Sequence, residues 1–96
     1  MCSQHLGCWK DSKDDRAISG TWKRLTTNRP IKECHDYAAN EEYQYFAVQS
    51  EDDCFTAADA EKTYKRHGRA NNCEKGVGDD NAQDVYKIVS CKEGTV

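Results

Sequence analysis

The sequence is short of apolar residues and has no long apolar run. Hydrophobic residues make up 36% of the 96 residues and charged residues 32%, and the mean hydropathy is −1.02. No stretch approaches the ~18 consecutive apolar residues of a transmembrane helix, so we expect no membrane insertion. No apolar signal-peptide region follows Met1 either, and we interpret the numbered chain as a mature product with an added start residue. Burial alone would give so short a chain only a marginal core.

The sequence also lacks an excess of positive charge and the common motifs of enzymes. The formal net charge is −3, whereas a nucleic-acid-binding domain usually shows a clear basic excess. No nucleophile motif such as G-x-S-x-G is present, and the three histidines, His5, His35 and His67, belong to no catalytic motif. We therefore expect no nucleic-acid partner and no enzymatic activity.

Close cysteine pairs are absent as well, although the chain contains six cysteines. Metal sites generally use closely spaced pairs such as C-x-x-C, so a bound metal is not expected. Spread cysteines in a small chain are typical of disulfides, and they indicate an oxidising, extracellular compartment. The cysteines therefore predict three disulfides, with every connectivity still open, among Cys2, Cys8, Cys34, Cys54, Cys73 and Cys91.

The first half of the chain combines a polar loop with one amphipathic helix. Residues 10–30 lack clear periodicity and predict a long loop, with a short strand near Gly20–Leu25. Pro30 suits the first turn of a helix, because its missing N–H is not needed there. A helix over 30–40 is predicted by one apolar stripe at helical spacing, which consists of Ile31, Cys34, Tyr37 and Ala38.

The remaining elements predict a small α+β fold. An aromatic, β-prone run predicts a central strand over 43–49, followed by a short returning strand at Cys54 and Phe55. Thr56 resembles an N-cap and Gly68 a C-cap, which predicts a second short helix between them. A turn-rich stretch and a strand over 84–89 complete the chain. We expect one domain, residues 1–96, in which a short antiparallel sheet packs on one main helix, with the second helix across an edge.

Several short motifs resemble those of WSC domains, which are related in layout to PAN/apple domains. The stretch LGCWKD (6–11), followed by Arg16-Ala17-Ile18, is similar to their "GCYKD…RAL" opening. The resemblance extends from about Leu6 to Val89. The other matches follow in the family's order; they are Ile31–Cys34, Tyr43–Gln49, Asp53–Phe55, Asn71–Cys73 and Val85–Ile88.

The resemblance implies a secreted, cysteine-rich extracellular module, for which carbohydrate binding is the activity usually proposed. It also implies the pairs Cys34–Cys54 and Cys8–Cys73, which leaves Cys2 and Cys91, outside the family pattern, for each other. The family carries a further cysteine pair, and Ala38 and Thr56 stand where that pair would be.

The candidate ligand-binding residues lie in two stretches. Trp22, in the polar loop, is the best candidate for an exposed ring on which a sugar can stack. The basic residues near 62–75 are interpreted either as a solvated helix end, where the dipole favours cations, or as a site for acidic or sulfated glycans. The predicted contacts are Trp22, Lys65, Arg66, Arg69, Asn71 and Asn72.

One oxygen-rich stretch near the C-terminus is a candidate cation site. Asp79, Asp80, Asn81 and Asp84 do not match the EF-hand spacing, so a charged turn is preferred and no metal or cofactor is expected. We predict a monomeric, non-enzymatic module that recognises a glycan at a cell surface or in a matrix. The alternative is a structural, adhesive or protein-interaction module, or a toxin-like inhibitory scaffold, with loop 10–30 as its contact surface.

Overall fold

The structure is a computed structural model that describes residues 1–50, 52–79 and 81–91. It confirms a small disulfide-rich domain with an antiparallel sheet and two helices, one of them short. The helices are α1 (Pro30–Asn40) and α2 (Ala60–Thr63). The strands are β1 (Cys2–Lys10), β2 (Thr21–Arg24), β3 (Tyr45–Gln49), β4 (Asp53–Thr56), β5 (Cys73–Glu74), β6 (Val77–Gly78) and β7 (Ala82–Val89).

The sheet is larger than the short one predicted. Its main path runs β1-β7-β3-β4-β2, with every neighbouring pair antiparallel. The small β5–β6 hairpin joins it through one parallel contact, between Gly78 and Gln49 on β3. Strand β1 was not predicted, because Ser3, Gln4 and His5 are exposed polar residues without an apolar alternation. The long partner β7 holds β1 in place instead, by pairing along its whole length.

One side of the sheet, which we term the helix face, is covered by α1. This helix begins at Pro30 and ends at Asn40, as predicted. Cys34 and Ala38 from its apolar stripe are fully buried, and they pack with Phe46 and Val48 of β3. The apolar stripe of the helix and the alternate residues of the strand therefore pack together in one apolar layer.

The other side, which we term the loop face, is covered by irregular segments and α2. Alternate residues of β3 and its neighbours point to this side, among them Tyr45, Ala47 and Phe55. Residues 11–20 and 57–70 cover them, and Trp9 and Tyr64 belong to this core, with 8% and 9% of their surface exposed. The sheet therefore has a core on each face.

The second helix is shorter than predicted, and its proposed N-cap was wrong. Thr56 ends β4, where it pairs with both Phe46 and Thr21. Its buried hydroxyl donates to the carbonyl of Tyr45 at 2.5 Å. Pairing on both sides holds Thr56 in an extended conformation, so the helix starts four residues later, at Ala60. Gly68, with a φ of 89°, follows the turns after α2.

Three disulfides crosslink the layers, in the pairs that the family resemblance implied. Cys34–Cys54 joins α1 to β4 inside the helix-face core. Cys8–Cys73 joins β1 to β5, and Cys2–Cys91 joins the start of β1 to the residue shortly after β7. Each link connects elements that are distant in sequence, so each restricts the unfolded chain strongly.

Candidate functional site

Trp22 presents a fixed, exposed ring at one edge of the sheet. It lies on the edge strand β2, opposite Phe55 of β4, and is 52% exposed. Its indole N–H donates to the Asp53 carboxylate at 2.8 Å, and the Arg24 guanidinium carbon lies 5.9 Å from its ring centroid. These two contacts hold the ring plane while much of the ring stays open to solvent. The exposure predicted for Trp22 is confirmed.

A pocket of about 320 Å³ opens beside the Trp22 ring. Gly20 is needed in its wall, because a Cβ at this position would lie 2.5 Å from the Cβ of Ala57 and 2.6 Å from the Thr56 carbonyl oxygen. Only a glycine lets the loop approach β4 so closely. The pocket combines hydroxyls, a guanidinium and an aromatic ring, and it is lined by Arg16, Ile18, Ser19, Gly20, Thr21, Trp22 and Phe55.

A buried carboxylate positions Arg16 in this pocket. The Asp11 side chain is fully buried, and it accepts a hydrogen bond from Arg16 and another, at 2.8 Å, from the Ala17 N–H. The Arg16 guanidinium carbon lies 4.7 Å from the Phe55 ring centroid, and the same side chain donates to Gln49 at 3.3 Å. Arg16 is therefore held from several sides. Sequence reasoning missed this role, although Asp11 and Arg16 both belong to the opening motif.

The opposite edge of the sheet carries a second group of candidate residues. Residues 68–70 hydrogen-bond along β1, with the Lys10 N–H donating to Gly68 at 2.8 Å and the Ala70 N–H to Cys8 at 3.1 Å. This pairing places Arg69 directly opposite Trp9. A shallow groove follows, lined by Lys10, Arg69, Ala70, Asn71, Asn72 and Asn81.

The structure thus divides the predicted contacts between two sites. Arg69, Asn71 and Asn72 lie together, and the groove adds Lys10 and Asn81, which were not predicted. Trp22 lies on the strand at the far end of the order β1-β7-β3-β4-β2. At about 4.8 Å between neighbouring strands, the two edges are roughly 19 Å apart.

Lys65 and Arg66 have different surroundings. The ammonium nitrogen of Lys65 lies 5.5 Å from the ring centroids of both Trp9 and Tyr64. Arg66 instead donates to the Asp15 carboxylate at 2.7 Å and to the Arg16 carbonyl at 3.4 Å. Arg66 therefore contacts the 11–20 loop through an exposed ion pair, whereas Lys65, which shares the Trp9 ring with Arg69, forms no ion pair with a described residue.

The histidines and acidic residues have mainly structural surroundings. His5 contacts the buried carboxylate of Asp84 at 2.5 Å, and His35 hydrogen-bonds Ser3 at 2.7 Å. Burial, and secondarily the Asp84 charge, raise the pKa of the Tyr86 hydroxyl well above its usual range. Asp84 lies within β7, and Asp80 of the same acidic stretch lies outside the described residues. Among residues 1–50, 52–79 and 81–91, no three potential metal ligands come together.

Two acidic groups at α1 have lowered pKa values. A hydrogen bond from the backbone N–H of Thr27 is the main cause of the lowered pKa of Glu33. The Glu33 carboxylate also accepts hydrogen bonds from Thr26. The hydrogen bond from the Lys32 side chain is the main cause of the lowered pKa of Asp36. Glu33 therefore links α1 to residues 26 and 27, and Asp36 forms an i,i+4 ion pair within the helix.

Comparison with known proteins identifies one family. The family model described as "WSC domain" matches residues 5–83, a range that includes both candidate sites. No curated protein matches the chain. None of the helices in the described part of the chain is long and apolar enough to span a bilayer.

Proposed function

The chain belongs to the WSC domain family, and we propose from this that it is a secreted, non-enzymatic recognition module that binds carbohydrate at Trp22. WSC domains are, in general, extracellular modules of a carbohydrate-binding type. Three disulfides support an oxidising compartment, because such links persist outside the cytosol. The glycan would be part of a cell surface or of an extracellular matrix.

The exposed Trp22 ring is the observation that carries this proposal. Among the described residues, only Trp22 and Met1 are large hydrophobic side chains exposed to solvent. A rigid indole presents a flat apolar surface at low cost in conformational entropy, and the apolar face of a pyranose stacks on such a surface. Because Asp53 and Arg24 hold the ring in place, its orientation is set before a ligand arrives.

Polar groups around the ring would supply specificity. Ser19, Thr21 and Arg16 line the adjacent pocket. Hydroxyls donate and accept, and a guanidinium donates in a planar fork, so together they suit the hydroxyl groups of a sugar. A buried partner holds Arg16, so it would contribute a donor of fixed direction.

Glycan-array screening followed by calorimetry on the best glycan tests the proposal. Trp22→Ala is expected to weaken binding about tenfold or more, because a stacked aromatic contact of ~1.4 kcal/mol or more is lost. Trp22→Phe should retain part of the affinity. Lys23→Gln is the matched control, since Lys23 is on the same strand but lies over Tyr37 on the helix face.

Two outcomes would contradict the proposal. One is an array without any hit, and the other is a folded Trp22→Ala variant with unchanged affinity. A protein partner whose binding survives both high salt and free sugar would instead support the adhesive or protein-interaction alternative.

A further inference from the structure

A second exposed surface combines cations with buried aromatic rings at the β1 edge. Lys65 lies over Trp9 and Tyr64, and the Arg69 guanidinium carbon is 4.7 Å from the Trp9 ring centroid. The Lys87 ammonium is 5.7 Å from the Tyr45 ring centroid. We term this set, together with the nearby Lys10, the β1-edge cation surface.

The aromatic rings form a continuous support beneath these cations. The Trp9 and Tyr64 centroids are 5.4 Å apart with perpendicular planes, and the Tyr64 and Tyr45 centroids are 6.2 Å apart. All three rings are buried in the loop-face core, so they are fixed by packing. Contact with a ring face orients a cation and leaves its outward N–H groups available to a ligand.

A glycine makes room for this arrangement. Gly7 has a φ of 117°, and a Cβ on it would lie 3.2 Å from the Trp9 indole nitrogen and 3.5 Å from a guanidinium nitrogen of Arg69. A larger residue would be strained in this conformation and would crowd both groups. The strand backbone is therefore adapted to hold Arg69 over Trp9.

No carboxylate neutralises these cations in the described part of the chain. Arg16, Arg24 and Arg66 each form an ion pair. Lys65, Arg69 and Lys87 have ring contacts instead, and none of them forms an ion pair with a described residue. Unpaired positive charges grouped on one edge give a local positive potential, although the net charge of the chain is −3.

We propose that the β1-edge cation surface is a second ligand site, separate from Trp22, that binds the anionic groups of an acidic polysaccharide. Arg69 and the lysines would bind sulfate or carboxylate groups. The amides of Asn71 and Asn81 in the adjoining groove would bind sugar hydroxyls. The site does not depend on whether Trp22 binds a sugar.

A polysaccharide fits this surface better than other polyanions. A nucleic-acid-binding domain typically has a pI above about 9, whereas the sequence pI here is about 5.5. A membrane-surface site needs apolar side chains that enter the lipid. The large exposed hydrophobic residues described, Met1 and Trp22, are not part of the surface.

Binding to matched polymers tests this proposal. Dextran sulfate and neutral dextran share one backbone, so their difference isolates the sulfate groups. We expect the intact chain to bind dextran sulfate and not dextran, with an affinity that falls as salt rises past about 0.1 M, where charges are screened beyond about 10 Å. Polygalacturonate, which carries carboxylates instead of sulfate esters, tests whether carboxylate groups bind as well. Binding of dextran sulfate alone assigns the ligand to sulfate esters, and binding of both polymers assigns it to either anion.

Substitutions then locate the site. Lys65→Gln combined with Arg69→Gln should weaken dextran sulfate binding at least about tenfold, because two charge-assisted contacts are lost, and Lys87→Gln should weaken it further. Lys65→Arg keeps the charge and should retain binding. Lys23→Gln is the matched control, because its ammonium also lies over a ring, 5.8 Å from the Tyr37 centroid, at the other edge. Thermal unfolding of each variant identifies any loss caused by misfolding.

The two sites are distinguishable by their responses. Trp22→Ala should leave dextran sulfate binding intact, whatever it does to other glycans. The second-site proposal is overturned by unchanged binding in the folded Lys65→Gln/Arg69→Gln variant. It is equally overturned if Lys23→Gln or Trp22→Ala abolishes dextran sulfate binding, or if a DNA duplex binds as tightly as dextran sulfate.

Discussion

The two faces of the sheet are closed in different ways. On the helix face, one regular helix lays an apolar stripe against alternating strand residues, and Cys34–Cys54 runs through the centre. On the loop face, irregular segments cover the strands. Polar contacts form within and between these segments, such as Asp11–Arg16 and Arg66–Asp15. The regular cover needs only apolar burial, whereas the irregular cover needs specific polar partners for its backbone and charges.

The two candidate sites lie on the side with the irregular cover. Both candidate sites involve the loop face, since Trp22 and the rings beneath Lys65 belong to that side. Irregular segments leave pockets and polar groups at the surface, and the rigid sheet beneath them keeps those groups in position. Both faces stabilise the domain, and the loop face also carries the two candidate sites that we propose for recognition.

Loss of the helix-face disulfide should have the largest effect on stability. Cys34→Ala combined with Cys54→Ala removes a crosslink over a sequence separation of 20 residues and two fully buried sulfur atoms. We expect the free energy of unfolding to fall by about 2–5 kcal/mol, measured by urea denaturation followed by circular dichroism. A variant as stable as the parent chain would show that the apolar layer alone holds the helix face. Cys2→Ala/Cys91→Ala provides the comparison, because it opens a longer loop, with a sequence separation of 89, but removes residues that lie nearer the surface. The two variants therefore separate loop entropy from buried packing.

Loss of the Asp11 carboxylate should be the most damaging change among the polar contacts of the loop face. Asp11→Ala leaves Arg16 without its ion pair and the Ala17 N–H without its acceptor. We expect a loss of about 2–4 kcal/mol in the same denaturation assay. The exposed Asp14 provides the control, since Asp14→Ala should change stability by no more than about 0.5 kcal/mol. Equal effects of the two substitutions would refute a polar anchor at Asp11.

High pH should weaken the helix face through Tyr86. Its folded pKa is raised by burial, so above the ordinary tyrosine value of about 10 the unfolded chain loses a proton that the folded chain keeps. The stabilising effect is complete below that pH. Above it, the free energy of unfolding should decrease by about 1.4 kcal/mol per pH unit.

Tyr86→Phe tests this pH dependence. It removes the phenol and its 2.7 Å hydrogen bond to the Gly76 carbonyl, so the variant should be less stable at neutral pH but should lose the added alkaline slope. Urea denaturation at intervals between pH 8 and 11, roughly the span around the free tyrosine pKa, gives both quantities. An identical slope in the two proteins would assign the alkaline effect to other groups.

Loss of the exposed ion pair should have the smallest effect. Arg66→Gln removes the link to Asp15, in which both side chains are substantially exposed. We expect only about 0.2–1 kcal/mol, reduced further by salt, because solvent screens such pairs. A larger, salt-insensitive loss would mean that Arg66 holds the 11–20 loop through its bond to the Arg16 carbonyl. Lys62→Gln on the same segment provides the control.

Elements whose pattern lies within one segment could be predicted from the amino-acid sequence. The stripe of Cys34 and Ala38 predicted α1 with its observed bounds, and the alternation around Phe46 predicted the central strand. Strand β1 was not readable, because its pairing with β7 lies in residues far along the chain. The second helix was overestimated, since cross-strand pairing at Thr56 outweighs a capping motif that is worth only about 1 kcal/mol.

The amino-acid sequence alone determined the class of molecule: a polar chain crosslinked through six cysteines, with one amphipathic helix and an unusual tryptophan in a polar stretch. Folding decided which of the suspected ligand residues are neighbours. It placed Trp22 and Arg69 at opposite edges of one sheet and gave Arg66 a carboxylate partner. Composition and periodicity act within a few residues of chain, whereas strand order depends on contacts between segments that only the complete fold brings together.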